Sequence, residues 1–367
     1  MATAAASQCV SPHGWSSIDG APHVRHGRGV TTLSERFPAA LEARLAAKLL
    51  DDKHQTACRL FNGFVEGLPT LTLDLYGTTL VVNDHAESKR GDEALAKEAV
   101  ELVRAKLPFV TTALWKVRNA DAPETRNGLM LLGDEKALCR RVMEDGNWYA
   151  LSLRLNRDSS LYLDTRELRA WAKRSLAGKR VLNTFAYTAS LGVAAKAGGA
   201  TEVLNTDLNN AFLTVGRDSW SMNGWPPRRP EFRPGDFFDV VGQLKRDKRT
   251  FDCVFVDPPL FSVTEQGRVD LISDMERLLN KVRPLIAHDG FLVAVNNAVF
   301  VPGTDFQAVL DRLCADGYLS LETRVPAPVD FTGTEATRAG TPRVDPSPFN
   351  HSTKMAVLRV KRKDGRS

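Results

Sequence analysis

The sequence is poor in cysteine, and the few it has are not organised. Its 367 residues carry five, Cys9, Cys58, Cys139, Cys253 and Cys314, an odd number with no C-x-x-C pair. That pattern indicates neither a disulfide framework nor a thiolate zinc site, and it fits a reducing compartment best. Long apolar runs are missing too. Stretches such as Leu80 to Val82 and Phe291 to Val295 fall far short of the ~20 residues that cross a bilayer, so no membrane span is expected. Acids are nearly missing from residues 1 to 34, where Asp19 is accompanied by Arg25, Arg28, three histidines and many Ala, Ser and Gly. Such a segment reads either as a disordered tail or as an organellar transit peptide.

What is present is an ordinary globular composition, 43% apolar and 25% charged, with length enough for two packed domains. A soluble intracellular protein is expected, cytoplasmic unless the first segment directs it to an organelle. The net charge of +5 and pI near 8.9 suit an anionic partner, or simply a basic enzyme.

Four regions follow from the patterning: a flexible segment over 1–36, a small α/β domain over 37–150, a larger α/β domain over 151–360 and a basic tail over 361–367. The spacing predicts a helix over Phe37 to Leu50, β-like runs at Leu71 to Leu73 and Thr78 to Val82, a helix over Glu93 to Ala105, and strands at Ala113 to Val117 and Gly128 to Leu132. From Lys179 on, strand, turn and helix repeat. Strands at Arg180 to Asn183, Glu202 to Asn205, Cys253 to Val256 and Phe291 to Val295 are separated by helices at Leu191 to Ala197, Ala211 to Trp220 and Leu271 to Val282. Crossovers of this kind predict a mostly parallel, doubly wound Rossmann-like sheet, with ligands at the carboxyl ends of its strands.

The first of those strand ends runs through Asn183, Thr184, Phe185, Ala186, Tyr187 and Thr188 into a helix, a turn able to set backbone N–H groups against a ligand. It has neither G-x-G-x-x-G nor G-x-x-x-x-G-K-[ST], which argues against a dinucleotide and a nucleoside triphosphate. Asp207, followed by Leu208, closes the second strand 24 positions after Asn183, near the ~20-residue interval at which an acid meets ribose hydroxyls. Asp236 and Phe237 come before the third strand, where an acid can accept from an adenine amino group. After that strand stands Asp257-Pro258-Pro259-Leu260-Phe261. Two prolines fix φ and remove two donors, so the carbonyls of the loop can be aimed at a planar substrate, and Phe261 offers a stacking face. Asn296 and Asn297 end the fourth strand and carry amides suited to orienting a base edge. No metal ligand set is expected.

Together these residues resemble the bacterial 23S ribosomal RNA methyltransferases that modify cytosine C5 or guanine N7. The likeness lies in Leu182 to Thr188, in Asp207 and in Asp257 to Ser262. It extends to Leu161-Tyr162-Leu163-Asp164-Thr165-Arg166, similar to the family segment that closes over the cofactor, and to Arg59 to Gly63, Gly67 to Pro69 and Asp74 to Gly77, similar to the middle domain of the cytosine branch. The resemblance implies a class I methyltransferase fold, S-adenosylmethionine as cofactor, Asp164 and Arg166 beside it, and RNA as partner. It departs from the family at Ala189, where a glycine is usual and a methyl group would crowd the cofactor or oppose positive φ. The amino-terminal RNA-binding domain of the cytosine enzymes is not expected, so RNA would dock elsewhere.

The branches differ in chemistry. Cytosine C5 needs a cysteine thiolate at C6, whereas guanine N7 has a free lone pair. The fourth strand ends in Asn-Asn rather than a cysteine, and Cys253 lies inside a strand, so direct transfer to guanine N7 is the expectation. Methylation of a small molecule or a protein, and a non-catalytic RNA-binding or ribosome-assembly role with a decayed cofactor site motivated by Ala189, remain the alternatives.

Overall fold

The computed structural model describes residues 32–340, 345 and 347–363. Most of the acid-poor first segment and the last four positions therefore lie outside the described residues.

Helix α1 (Leu33–Ala46) starts before the expected Phe37, because the Thr32 amide donates to the Glu35 carboxylate and secures an earlier first turn. It covers a five-stranded sheet in the order β1 (Ala57–Asn62), β2 (Leu71–Tyr76), β3 (Thr79–Asp84), β4 (Thr112–Val117) and β5 (Leu129–Leu132). Helix α2 (Glu93–Lys106) makes the crossover between the parallel pair β3 and β4. Alternation decides which face is which. Leu71, Leu73, Leu80, Val82, Ala113 and Trp115 pack on Phe37, Leu41, Ala99 and Val103 of the two helices. The opposite face carries Thr72, Asp74, Asn83 and Lys116, all buried.

The hairpin β6 (Arg141–Glu144) and β7 (Asn147–Ala150) bridges the two halves. Met143 donates its amide to the Gln55 carbonyl at 2.7 Å, while the amides of Trp148 and Ala150 donate to Asn223 and Ser219 at 2.9 Å. Beyond it come α3 (Arg166–Ser175), β8 (Arg180–Thr184), α4 (Ser190–Ala197), β9 (Glu202–Asp207), α5 (Asn210–Met222), β10 (Phe232–Pro234), α6 (Phe237–Arg246) and β11 (Phe251–Val256). A second hairpin follows, β12 (Phe261–Thr264) and β13 (Gly267–Asp270), then α7 (Met275–Val282), β14 (Ile286–Asn296), α8 (Gly303–Cys314), β15 (Leu319–Val325) and β16 (Lys354–Val360).

The large sheet has the order β10-β9-β8-β11-β14-β16-β15, parallel from β10 to β14 and antiparallel over the last two strands. This is the mostly parallel, doubly wound arrangement expected. The chain reverses its winding between β8 and β11, so the ligand crevice of such a sheet falls at their carboxyl ends. The predicted helix over Leu271 to Val282 starts later, at Met275, because Leu271 to Ser273 turn on Asp270, whose Oδ1 accepts from the Ile272 and Ser273 amides; residues 261–270 before it form the hairpin. Since β16 runs antiparallel to β14, with Gly290 opposite Val360, Lys361 to Lys363 of the basic tail sit at the end of the sheet away from that crevice. Among the described residues, no helix is long and apolar enough to cross a membrane.

Candidate active site

The turn after β8 is built by alternating backbone hand. Phe185, Tyr187 and Ala189 have φ of 52°, 50° and 60°, and the residues between them do not. Such alternation directs successive N–H groups into one concavity. Left-handed residues other than glycine cost about 1–3 kcal/mol each, so the surroundings must hold them. They do. The Ala186 amide donates to Thr206 O at 2.9 Å, the Tyr187 amide to Asp207 Oδ2 at 2.8 Å, the Ala189 amide to Ala186 O at 2.7 Å, and the Thr188 hydroxyl to Ser160 O.

Ala189 was expected to crowd the cofactor or resist positive φ; the structure gives it a positive φ and a place for its methyl. It adopts the left-handed conformation fully buried, with its methyl turned toward Gly216 of α5, where an added Cβ would stand only 2.8 Å away. The bare α-carbon of Gly216 makes room for the methyl that the turn carries. Gly192 does similar work on the next helix, since a Cβ there would meet Asn205 Oδ1 at 2.0 Å.

Asp207 accepts from two amides, Tyr187 at Oδ2 and Asn209 at Oδ1, and burial raises its pKa against the pull of those two bonds. One hydrogen bond on each oxygen leaves further acceptor capacity for vicinal hydroxyls. The Gly235 amide donates to Asp207 O at 2.9 Å, which brings Asp236 alongside. Asp236 caps α6 by accepting from the Phe238 amide, and Phe237 stacks on Phe185 with centroids 4.5 Å apart. Leu208 is exposed beside them. Asn183 departs from the expected role: it is buried and donates to Asn205 Oδ1, tying β8 to β9.

Across the crevice stand two carboxylates. Asp257 is pushed up to about 7 by burial and by the neighbouring charge of Asp164. Asp164 is itself raised by burial, against a hydrogen bond from the Thr353 hydroxyl at 2.5 Å and the charges of Arg59 and Arg169. An opposite charge beside either carboxyl would favour its ionised form. Arg166 does not complete this set. Its guanidinium donates to both oxygens of Asp330, at 2.9 and 3.2 Å, and to Ala57 O, so it joins the small sheet to the large half.

In the reactive loop, Pro258 is buried, while Pro259, Leu260 and Phe261 are exposed. Asn297 donates to Pro258 O at 3.3 Å and its residue is exposed. Asn296, expected to face the substrate, is buried instead, donating to Leu271 O and accepting from the Ala298 amide. Neighbouring strand positions face opposite ways, so the amide available at this strand end is the later one. Cys253 is fully buried in β11, and burial drives its thiol far above the ordinary range. Among the described residues, no cluster of His, Cys, Asp and Glu could hold a metal ion.

Two cationic residues have a role in the site that sequence reasoning missed. Lys116 of β4, wholly buried and pushed down to about 7 by burial and by Arg118, donates to the carbonyls of Asn156 and Asp158 at 3.1 and 3.0 Å. Arg118 holds Arg157 O and Asp158 Oδ1. The segment they grip continues to the cofactor turn, where the Tyr187 hydroxyl donates to Asn156 Oδ1 and accepts from the Ser160 amide. A lysine inside the apolar run Thr112 to Val117 was the available signal. Between Pro326 and Lys354, Phe331 and His351 line a cleft beside the 158–164 segment, Phe349 packs in the core against Phe306, and Arg338 is exposed.

This geometry is that of a class I methyltransferase, and comparison agrees. Residues 120–339 match the S-adenosylmethionine-dependent methyltransferase family, and the chain belongs to it. Ribosomal RNA large subunit methyltransferase I of Shewanella denitrificans is 30% identical over 222 residues, 58% of this chain and 54% of that protein. The protein of the same name from Photobacterium profundum is 25% identical over 267 residues, 73% of this chain and 67% of its own length. The chain thus spans little more than half of the first and two thirds of the second. SMU.776, solved complexed with SAH, shares the fold with a TM-score of 0.76 at 22% identity, over 91% of this chain and 82% of that one. The cofactor of the family is S-adenosylmethionine.

The residues present fit it. The concave turn at 185–189, acceptor capacity at Asp207, the cap residue Asp236 beside the Phe185 and Phe237 rings, and the two half-buried carboxylates suit a molecule that joins an aromatic base, a ribose and a cationic end.

Proposed function

We propose that the chain methylates a base of ribosomal RNA, at guanine N7 rather than cytosine C5, by direct transfer with no covalent enzyme intermediate. The relatives named as ribosomal RNA large subunit methyltransferases support the substrate class. The chemistry rests on one observation: the loop after β11 sets the exposed Asn297 amide on the Pro258 carbonyl, while the cysteine nearest it in sequence is buried and unionised.

The cofactor supplies a sulfonium methyl group, and direct transfer asks the protein mainly for position. Pro258 and Pro259 fix the loop that borders the acceptor, and Asn297 ties it to the end of β14. Asp164 and Asp257, once ionised, balance the positive charge that passes to the base. Exposed Leu260, Phe261, Val263, Val299 and Phe300 form the outer lip, a surface suited to stacked bases rather than to enclosing a small molecule. With Ala189 accommodated by Gly216, the motive for a decayed cofactor site is gone. The experiment incubates purified chain with methyl-labelled cofactor and a bacterial extract: label in RNA is expected, and label confined to protein or small molecules would contradict the reading.

A further inference from the structure

The face of the small sheet turned toward the cofactor is an expensive one. Asp74 accepts both Arg59 Nε and Nη2, at 2.7 and 3.0 Å, and the Asn83 amide at 2.9 Å, all largely removed from water. Thr72 and His85 meet at 3.3 Å, and burial together with the charges of Arg118 and Arg59 holds the imidazole neutral, its pKa near 3. Burying polar and charged groups costs more than burying apolar ones of the same shape, so a fold that needed only a docked sheet could use leucines here, as it does on the other face.

Between this face and the 158–164 segment lies a cleft of about 190 Å³. At ~30 Å³ per water it holds about six waters, room for one planar ring system and not for a whole nucleotide chain. Tyr162 and Asp164 line it as well, and both lie close enough to Asp257 for their charges to interact. A larger depression of about 640 Å³ at Gly133 to Lys136 and Arg140 includes none of these groups.

We infer that this cleft is the acceptor-base subsite, into which a single nucleobase is extruded, with Asp74 and Asn83 of the small sheet reading its edge and Tyr162 beside its face. The inference rests on the ribosomal RNA reading above and deepens it. Enzymes that act on a base in a folded nucleic acid take it out of the stack and read its Watson–Crick edge in a pocket. Carboxylate and amide acceptors match an edge with adjacent N–H donors, N1–H and the N2 amino group of guanine. Reading that edge leaves N7, on the other ring, for the methyl group. Tyr162 is 42% exposed, and its hydroxyl donates to Asp158 Oδ2, which steadies the ring at the mouth.

The test compares the full chain with Asn83→Ala and with the nearly isosteric Thr72→Val, reading cofactor Kd by calorimetry and kcat/KM with 23S ribosomal RNA. Both variants are expected to bind S-adenosylmethionine within about twofold of the unaltered chain, which also shows that they fold. Asn83→Ala is expected to lose about ten- to hundredfold in kcat/KM for RNA, the loss of one base-edge pairing, and Thr72→Val less. Variants that methylate RNA as well as the unaltered chain would overturn the subsite and leave the RNA reading standing. Cofactor binding lost in parallel with activity would also overturn it, by showing that the sheet face acts through the cofactor turn. An unaltered chain that labels no RNA would overturn the RNA reading and the subsite with it.

Discussion

The two sides of the crevice are built differently. On the cofactor side, the 185–189 turn is held by hydrogen bonds to β9, to the 156–160 segment and within the turn, with Phe185 stacked on Phe237, and Gly192 and Gly216 let two helices close around it. On the acceptor side, the loop and hairpin from Asp257 to Asp270 make few such bonds and expose Leu260, Phe261 and Val263. One side is finished before anything binds. The other is a framed opening with an apolar lip, and exposed apolar patches commonly mark interaction surfaces.

That contrast can be broken first on the acceptor side. Pro259→Gly should lower kcat by about a hundredfold or more, the cost of misplacing a reacting group by an ångström, with cofactor Kd changed by less than about fivefold. An equal loss of cofactor binding, measured by calorimetry, would show that the two sides are not separable. On the cofactor side, Gly216→Ala forces a methyl against that of Ala189 and should cost about 1–3 kcal/mol in a denaturant melt. Adding Ala189→Gly should restore most of it, and a double variant no more stable than the single one would contradict the packing account.

Lys116→Met should raise KM for the cofactor by about tenfold while changing kcat less, since one or two hydrogen bonds to the 156–158 carbonyls are lost. Equal falls in cofactor affinity and RNA affinity would argue against a grip specific to the cofactor turn. The smallest effect is one of pH. Asp257 in the folded protein titrates near 7, above its ordinary 3.8, so between these values the free protein holds a proton that the unfolded chain has lost. Its stability therefore declines as pH rises through that window. A bound cation favours the ionised carboxylate and releases the proton, so cofactor affinity should strengthen as pH rises from 5.5 to 7, by at most about tenfold per unit. Calorimetry in buffers of different ionisation enthalpy reads the proton directly, and a flat profile would separate Asp257 from the cationic end of the ligand.

The cofactor side was the more legible half because its signals are local. A strand and a turn recur, with an acid after three of the strands, and Asp207, Asp236 and Phe185 stand at strand ends. Errors arose where one residue of register or a distant partner decides. Asn296 and Asn297 differ only in which way a strand residue faces, and the interior took the first. The hairpin at 261–270 turns through Glu265-Gln266, without the Asn-Gly that marks such turns most clearly, so nothing in the spacing announces it between the loop at Asp257 and the helix that follows. The role of Arg166 depends on Asp330, 164 residues away. The polar face of the small sheet is written in the alternation Leu71-Thr72-Leu73-Asp74-Leu75-Tyr76, but what covers it comes from residues 158–164, 331 and 351–352. Sequence spacing does not reveal such a meeting.

The most direct test of the central claim is mass spectrometry of nucleosides from 23S ribosomal RNA treated with the purified chain and methyl-deuterated S-adenosylmethionine. The account predicts deuterated 7-methylguanosine, formed equally well by a Cys253→Ala variant. Deuterated 5-methylcytidine, or no labelled nucleoside at all, would contradict it.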